Sequence, residues 1–133
     1  MPDRKPRILL AATVAALASV AAGATAAGES AAHAKAGDFD AKGRIACVQR
    51  DGLPIGTCTA RVARGPAGEA TLEATFENGF ARMLFFEEGA FLRANTTMSG
   101  VGTDTDWRLE EGMLFLRVDD QRFEVPEALV FGD

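Results

Sequence analysis

The side chains in this chain best suited to chemistry are two cysteines, a histidine and a few adjacent acids. Cys47 and Cys58 are the only cysteines. They lack the C-x-x-C spacing of redox-active pairs, and no His or Lys lies beside them to activate a thiol. A metal site would need more ligands than this region offers. We therefore predict a structural disulfide between Cys47 and Cys58.

Three pairs of adjacent acids could in principle serve a glycosidase, whose mechanism uses two carboxyl groups. The pairs are Glu87-Glu88, Glu110-Glu111 and Asp119-Asp120. Each lies at a predicted turn, where carboxylates are simply solvated. The chain has no Tyr, and its one His, His33, lies outside the predicted core, so triads and zinc sites lack a base or ligands. We therefore predict a protein that is not an enzyme.

The loop Ser99–Asp106 holds two carboxylates with hydroxyl groups between them, an arrangement that could approach a calcium ion. Calcium sites need about six or more oxygen ligands, and the closing Glu of a calcium loop is missing. The glycines of this loop do not form a phosphate loop, because no Lys-Ser/Thr follows and no helix begins there. We expect no bound metal and no cofactor.

Residues 1–27 have the three parts of a secretory signal peptide. A basic start is followed by an apolar run from Ile8, and small residues place the cleavage after Ala26 or Ala27. An uncleaved anchor is the alternative, since the run is nominally long enough to span a bilayer, but its many alanines favour a permanent span only weakly. We expect a periplasmic or secreted protein with no membrane attachment in its mature form, where disulfides persist.

The composition suits one small folded domain. The 133 residues are 47% hydrophobic and 25% charged, which excludes wholesale disorder. The formal net charge is −5, and removing the three basic residues and one acid of residues 1–27 takes it to −7. This balance argues against a nucleic-acid or anionic-membrane partner. Residues 28–42 are small and polar and predict a flexible lead-in, which leaves 43–133 as a single domain.

The residues after Gly68 alternate between apolar and polar, which is the period of a half-buried strand. The apolar positions are Ala70, Leu72, Ala74 and Phe76. Asn78-Gly79 is the preferred pair for a two-residue hairpin turn, so we expect Phe76 opposite Ala81. A second turn at Glu88-Gly89 places Phe85 opposite Leu92.

Other hairpins follow from the same alternation. The expected opposite pairs are Cys47–Cys58, Val62–Ala70, Trp107–Leu116, Leu109–Leu114 and Leu116–Phe123. In every pair the apolar side chains share one face, which random patterning would seldom produce. We predict an all-β domain of about eight short antiparallel strands in a meander, five and then three, forming a small filled barrel or a two-sheet sandwich.

One consequence of this register is an apolar cluster on the outer face. With Ala81, Met83 and Phe85 inward, the residues pointing outward are Phe80, Leu84 and Phe86, with Phe91 beside them. Four large apolar side chains facing solvent need a cover or a partner. We predict that the closing segment Leu129–Phe131 folds over them, that a bulge re-aims the strand, or that they form a partner-binding patch.

Five segments of the chain resemble a group of small, functionally uncharacterised exported proteobacterial proteins. The matching segments are Gly43–Cys47, Gly56–Cys58, Val62–Gly65, Phe85–Gly89 and the distinctive closing run Arg122–Gly132. The resemblance covers most of residues 43–132 and implies an envelope location and a two-cysteine disulfide, but no activity. In size, export and strand content the chain is also similar to the small β-barrel lysozyme inhibitors of bacterial envelopes.

We therefore expect an exported, non-catalytic module that binds another envelope protein. An inhibitor of a cell-wall lytic enzyme is the alternative, because an acidic protein is steered towards a basic lysozyme. A carrier of small ligands is a second alternative, and it requires an apolar pocket that a filled barrel of short strands does not provide.

Overall fold

The computed structural model describes residues 26–96 and 104–132, with side chains from residue 28 onward. The predicted signal peptide lies almost wholly outside the described residues and stays a prediction, and the same applies to most of the loop Ser99–Asp106. Within the described ranges, no helix combines the length and hydropathy needed to cross a membrane.

Eight strands and two helices make up the described part of the chain. The strands are β1 (Ala41–Val48), β2 (Gly56–Arg64), β3 (Ala70–Thr75), β4 (Ala81–Glu87), β5 (Ala90–Ala94), β6 (Thr105–Glu110), β7 (Met113–Val118) and β8 (Gln121–Pro126). The helices are α1 (Ala26–Lys35) and α2 (Glu127–Phe131). The all-β prediction, with eight short strands, is confirmed.

All eight strands belong to one antiparallel sheet in the order β5-β4-β3-β2-β1-β8-β7-β6. The predicted sets of five and three strands are joined where β1 pairs with β8, with Cys47 opposite Phe123. The end strands β5 and β6 approach each other without pairing, so the sheet forms a nearly closed barrel. Within the ranges 26–96 and 104–132, each of these two strands therefore keeps one edge without a strand partner, on either side of a seam.

Side chains that point inward fill the barrel. Small residues of β2 and β3, such as Ala60 and Ala74, belong to the same buried cluster as the larger Leu114 and Phe123. Combining small with large side chains lets curled sheets interdigitate at normal packing density. The core thus combines small side chains from the first set of strands with larger ones from the second.

The register of β6, β7 and β8 is as predicted. Leu109 lies opposite Leu114, and Leu116 lies between Trp107 and Phe123. The turns at Glu111 and Asp119 place these residues at φ 50° and 53°, the left-handed conformation of primed hairpin turns. Short two-residue turns leave little freedom of register, which is why the pattern alone was sufficient here.

The first hairpins differ from the prediction by two residues. Cys47 lies opposite Gly56, Ile45 opposite Cys58, and Val62 opposite Leu72. A shift by two positions changes each partner but keeps every side chain on its predicted face, because side chains alternate with period two. The predicted core residues of β2 and β3 are accordingly buried.

The hairpin between β3 and β4 differs by one residue, and this shift has larger consequences. Phe76 N donates to Phe80 O at 2.8 Å and Gly79 N donates to Phe76 O at 2.9 Å, so the loop has three residues with Gly79 at φ 93°. This is a turn followed by a glycine bulge rather than the predicted two-residue turn. A shift by one turns all of β4 over: Leu84 lies opposite Leu72, and Ala81 is exposed.

The turn between β4 and β5 falls at Glu88-Gly89, as predicted, but a bulge follows. Phe86 lies opposite Phe91, whereas Phe85 lies opposite Arg93. Leu92 is therefore the extra residue on β5, and the predicted Phe85–Leu92 pair is wrong. The extra residue disrupts the ladder locally, and Leu92 is 46% exposed.

Helix α1 corrects the prediction of a flexible lead-in over residues 28–42. The alanine-rich segment Ala26–Lys35 has high intrinsic helix propensity and packs across the outer face of β2, β3 and β4. Ser30 is fully buried and Ala34 is 7% exposed. The small polar composition suggested solvent, but small side chains also allow a helix to lie close to a sheet.

Helix α2 closes one end of the barrel. Val130 is completely buried in the core, and the side chain of Arg64 binds the last carbonyl groups of the helix, with 3.1 Å from Nε to Val130 O and 3.0 Å from Nη2 to Leu129 O. A cation at a helix C-terminus satisfies carbonyl groups that have no intrahelical partner. This contact anchors the closing segment to β2.

Candidate functional site at the free edge of β6

The predicted disulfide is present. Cys47 and Cys58 are bonded, with 5.9 Å between their Cα atoms, and both are buried at 4% and 0% exposure. The bond runs diagonally between neighbouring strands rather than between directly opposite residues. A buried disulfide between two strands is structural, and it fits an exported protein.

The predicted partner-binding patch is not an exposed surface. Leu84 and Phe86 are completely buried and Phe91 is 6% exposed, while Phe80 is 39% exposed. The three-residue loop before β4 turns Leu84 and Phe86 into the barrel. Phe131 of α2 contacts Phe86 edge-on with ring centroids 5.6 Å apart. The predicted alternative in which a bulge re-aims the strand therefore accounts for Leu84 and Phe86, and the closing segment adds a contact to Phe86.

The acids and the histidine singled out from the sequence lie apart from one another. His33 is exposed on α1 and lies 3.4 Å from Asp38. The acid pairs lie at strand ends and turns, as predicted. In the part of the chain that the structure describes, no group of three or more His, Cys, Asp or Glu is arranged to hold a metal ion.

Asp119 is the exception among these acids, since its carboxylate faces a buried arginine. Arg82 is 2% exposed at the barrel end opposite α2, where Nε donates to Gln121 Oε1 at 2.9 Å and Nη1 to Asn95 O at 2.7 Å. Its Nη2 lies 3.8 Å from Asp119 Oδ2. Burial lowers the pKa of Arg82, and the charge of Asp119 opposes this effect. The cluster ties β4 to the β7–β8 turn and is structural.

Exposed apolar side chains lie instead at β6. Trp107 is 37% exposed and Leu109 is 44% exposed, and across the seam Leu92 on β5 is 46% exposed. The prediction placed Trp107 and Leu109 in the core. Their face is as predicted, but β6 is the last strand of the sheet, and among the described residues no further strand pairs with it.

The backbone of β6 also has a side that faces away from β7. Trp107 N donates to Asp106 Oδ1 at 2.9 Å rather than to a strand partner. In an antiparallel pair the N–H groups of alternate residues point away from the partner strand, so the N–H of Leu109 points the same way as that of Trp107. Natural proteins use charged side chains to protect a free strand edge from non-specific pairing. On β6 these charged side chains are Asp106, Arg108 and Glu110.

A groove of about 320 Å³ runs over β6, β7 and β8 beside this edge. Its floor includes Phe115, and the Arg108 guanidinium lies 4.2 Å from the centre of that ring. Arg117 and Arg122 lie directly opposite each other, an unfavourable pair that is offset by Asp104 at 3.3 Å and Asp51 at 3.3 Å. The groove is open and charged, unlike the apolar pocket that a carrier of small ligands requires.

Sequence reasoning missed the free edge for an identifiable reason. The long segment 95–104 joins two sets of strands, and each set must leave a free edge unless β5 and β6 pair with each other. The alternating charges of β6 are a second signal, because they are typical of an edge strand. Comparison with family models, with curated proteins and with solved structures finds no match for this chain. The site is therefore interpreted from its own geometry.

Proposed function

We propose that this protein is an exported, non-catalytic protein-binding module that takes up an extended segment of an envelope protein along β6. The observation that carries this proposal is the edge of β6, which pairs with no further strand among the described residues and carries the chain's one tryptophan, 37% exposed. The disulfide supports export. The partner-binding role moves from the buried cluster around Phe86 to this edge.

Strand addition suits this edge because main-chain hydrogen bonds supply affinity and alternate side chains supply specificity. An added strand would bond the outward N–H groups of Trp107 and Leu109. On one face of the added strand, the partner's side chains would lie beside Trp107 and Leu109. On its other face, they would lie beside Asp106 and Arg108 at the groove. Tryptophan and arginine are enriched among residues that dominate binding energy.

The experiment uses the exported protein immobilised against an envelope extract, with Leu109→Lys as the variant. A lysine at an exposed strand edge opposes pairing, so we expect at least about a tenfold loss of capture. Binding should also shift the fluorescence of Trp107, the single tryptophan. Hydrogen exchange should show protection of the Trp107 and Leu109 amides in the captured complex.

Ile55→Lys is the matched control, since Ile55 is also an apolar residue, 58% exposed, but lies in the loop between β1 and β2. We expect it to capture the partner as the wild type does. Equal capture by Leu109→Lys and the wild type would contradict binding along β6. Circular dichroism of both variants checks that the fold is retained.

Inhibition of a cell-wall lytic enzyme is the second candidate, supported by the net charge of −5, which favours association with a basic lysozyme. A lysozyme assay with excess exported protein tests it directly. Loss of lysozyme activity that Leu109→Lys abolishes would identify the lytic enzyme as the partner at β6. Full lysozyme activity at excess protein would exclude this candidate.

A further inference from the structure

A buried carboxylate beneath the start of α1 lacks a full set of partners. Glu69 is 1% exposed at the beginning of β3, and its Oε1 accepts a hydrogen bond from Ser30 N at 2.5 Å. Its Oε2 is buried as well, and among the described residues no hydrogen bond reaches it. Burying a carboxylate is costly unless it is paired with a cation and hydrogen-bonded.

The surroundings of Glu69 hold the carboxylate in this position. Gly65 lies against Oε1, where a Cβ atom would overlap with it, so only glycine leaves the space. Beside it, the hydroxyl groups of Ser30 and Thr71 are hydrogen-bonded at 2.8 Å. Within the described ranges, the ion pairs between side chains all join residues other than Glu69. The surrounding residues that the structure describes therefore hold the Glu69 carboxylate as a hydrogen-bond acceptor but do not supply a cation to pair with it.

The chain can supply that cation itself. Hydrolysis of the Ala27–Gly28 peptide bond adds one water, leaving a carboxylate on Ala27 and a new α-ammonium group on Gly28. Gly28 precedes Ser30 by two residues, about 3 Å along a helix axis. The ammonium group thus arises in the same first turn of α1 as the Ser30 N–H that donates to Glu69.

We propose that signal peptidase cleaves after Ala27 and that the new α-ammonium group of Gly28 pairs with Glu69 Oε2. The sequence alone allowed cleavage after Ala26 or after Ala27. Cleavage after Ala27 makes Gly28 the first residue of α1, so the charge lies at the helix start where Glu69 is already bound. This inference concerns maturation and does not depend on what binds at β6.

The first measurement is the intact mass of the protein exported from the full-length gene. The expected mass corresponds to residues 28–133 with the disulfide formed. A mass corresponding to residues 27–133, or a retained leader, would overturn the proposed site. This result is independent of any binding partner.

The second measurement tests the pairing. Acetylation near pH 6.5 modifies the α-amine in preference to lysines, because the α-amine has the lower pKa. We expect acetylation to lower Tm by about 5 °C or more, since it removes the charge that partners a buried carboxylate. Acetylation should leave the Tm of Glu69→Gln unchanged, because that variant has no carboxylate to lose its partner.

Glu73→Gln is the matched control on the same strand, since Glu73 pairs with Arg61 at 2.6 Å and lies away from Gly28. Acetylation should lower its Tm as in the wild type. An equal loss in Glu69→Gln and the wild type, or no loss in the wild type, would overturn the pairing. If Glu69→Gln does not fold, the pH dependence of the acetylation rate gives the pKa of the α-amine in the wild type. A pKa above that of an exposed amine supports the ion pair, and an ordinary pKa overturns it.

Discussion

Two regions of the barrel's outer face differ in whether a helix covers them. Over β2, β3 and β4 the outer face carries Ala63, Thr71 and Phe85, and α1 covers it so that all three are buried. Over β6, β7 and β8 it carries Arg108 and Phe115, and it stays open as a groove. One face is sealed and the other is available for contact.

Side-chain size accounts for this difference. Ala63 and Thr71 are short enough for α1 to approach closely, and Ser30 forms a hydrogen bond to Thr71 at the contact. On the open face the Arg108 side chain lies on the Phe115 ring, so a charged side chain covers the apolar surface while its head stays in water. The comparison teaches that one outer face is sealed by a helix, whereas the open face and the edge beside it carry charged side chains that suit them to solvent.

The largest effect is expected where the closing helix covers the core. Phe86→Arg should abolish folding, because removing a buried Phe side chain alone costs about 3–5 kcal/mol and the charge adds to this. Total stability of such domains is only about 5–15 kcal/mol. Thermal unfolding followed by circular dichroism measures the outcome. Phe80→Arg is the control and should keep the fold, since Phe80 is 39% exposed.

A medium effect is expected beneath α1. Ala63→Leu should lower the free energy of unfolding by about 1–3 kcal/mol, because Ala63 is completely buried and extra methylene groups displace the helix. Thr59→Leu lies on the same face of β2 outside the cover of α1 and should stay within about 0.5 kcal/mol of the wild type. Urea denaturation compares the two variants. Equal losses would show that α1 does not seal this face.

The smallest effect is expected on the open face. Arg108→Ala removes an exposed ion pair with Glu110 at 3.0 Å and the contact with Phe115. Exposed pairs contribute about 0–1 kcal/mol, so the urea midpoint should shift little. A loss above about 2 kcal/mol would mean that this face is structural rather than available for contact.

The accuracy of the sequence predictions followed the type of turn. Asp119-Asp120 admits a two-residue turn, and the register of β7 and β8 is as predicted. Asn78-Gly79 suits both a two-residue turn and the end of a three-residue loop, and the local residues do not distinguish them. Packing does, because the three-residue loop buries Leu84 and Phe86 instead of exposing them.

The candidate site was harder to predict than the fold. Alternation correctly placed Trp107 and Leu109 on the inward face, but it carries no information on whether another strand lies beside them. The role of residues 28–35 was missed for a related reason. A small polar segment looks solvated until the sheet beneath it presents residues as small as Ala63.

The amino-acid sequence by itself determined the antiparallel strands, most side-chain orientations and the disulfide pair, because these depend on neighbours along the chain and on short turns. Only the tertiary structure decided which surfaces are covered. Contacts such as Phe86 with Phe131 and Ser30 with Thr71 join residues about forty positions apart, with separations of 45 and 41. Burial depends on the shape of distant partners, so the open edge at β6 became visible only once the barrel was assembled.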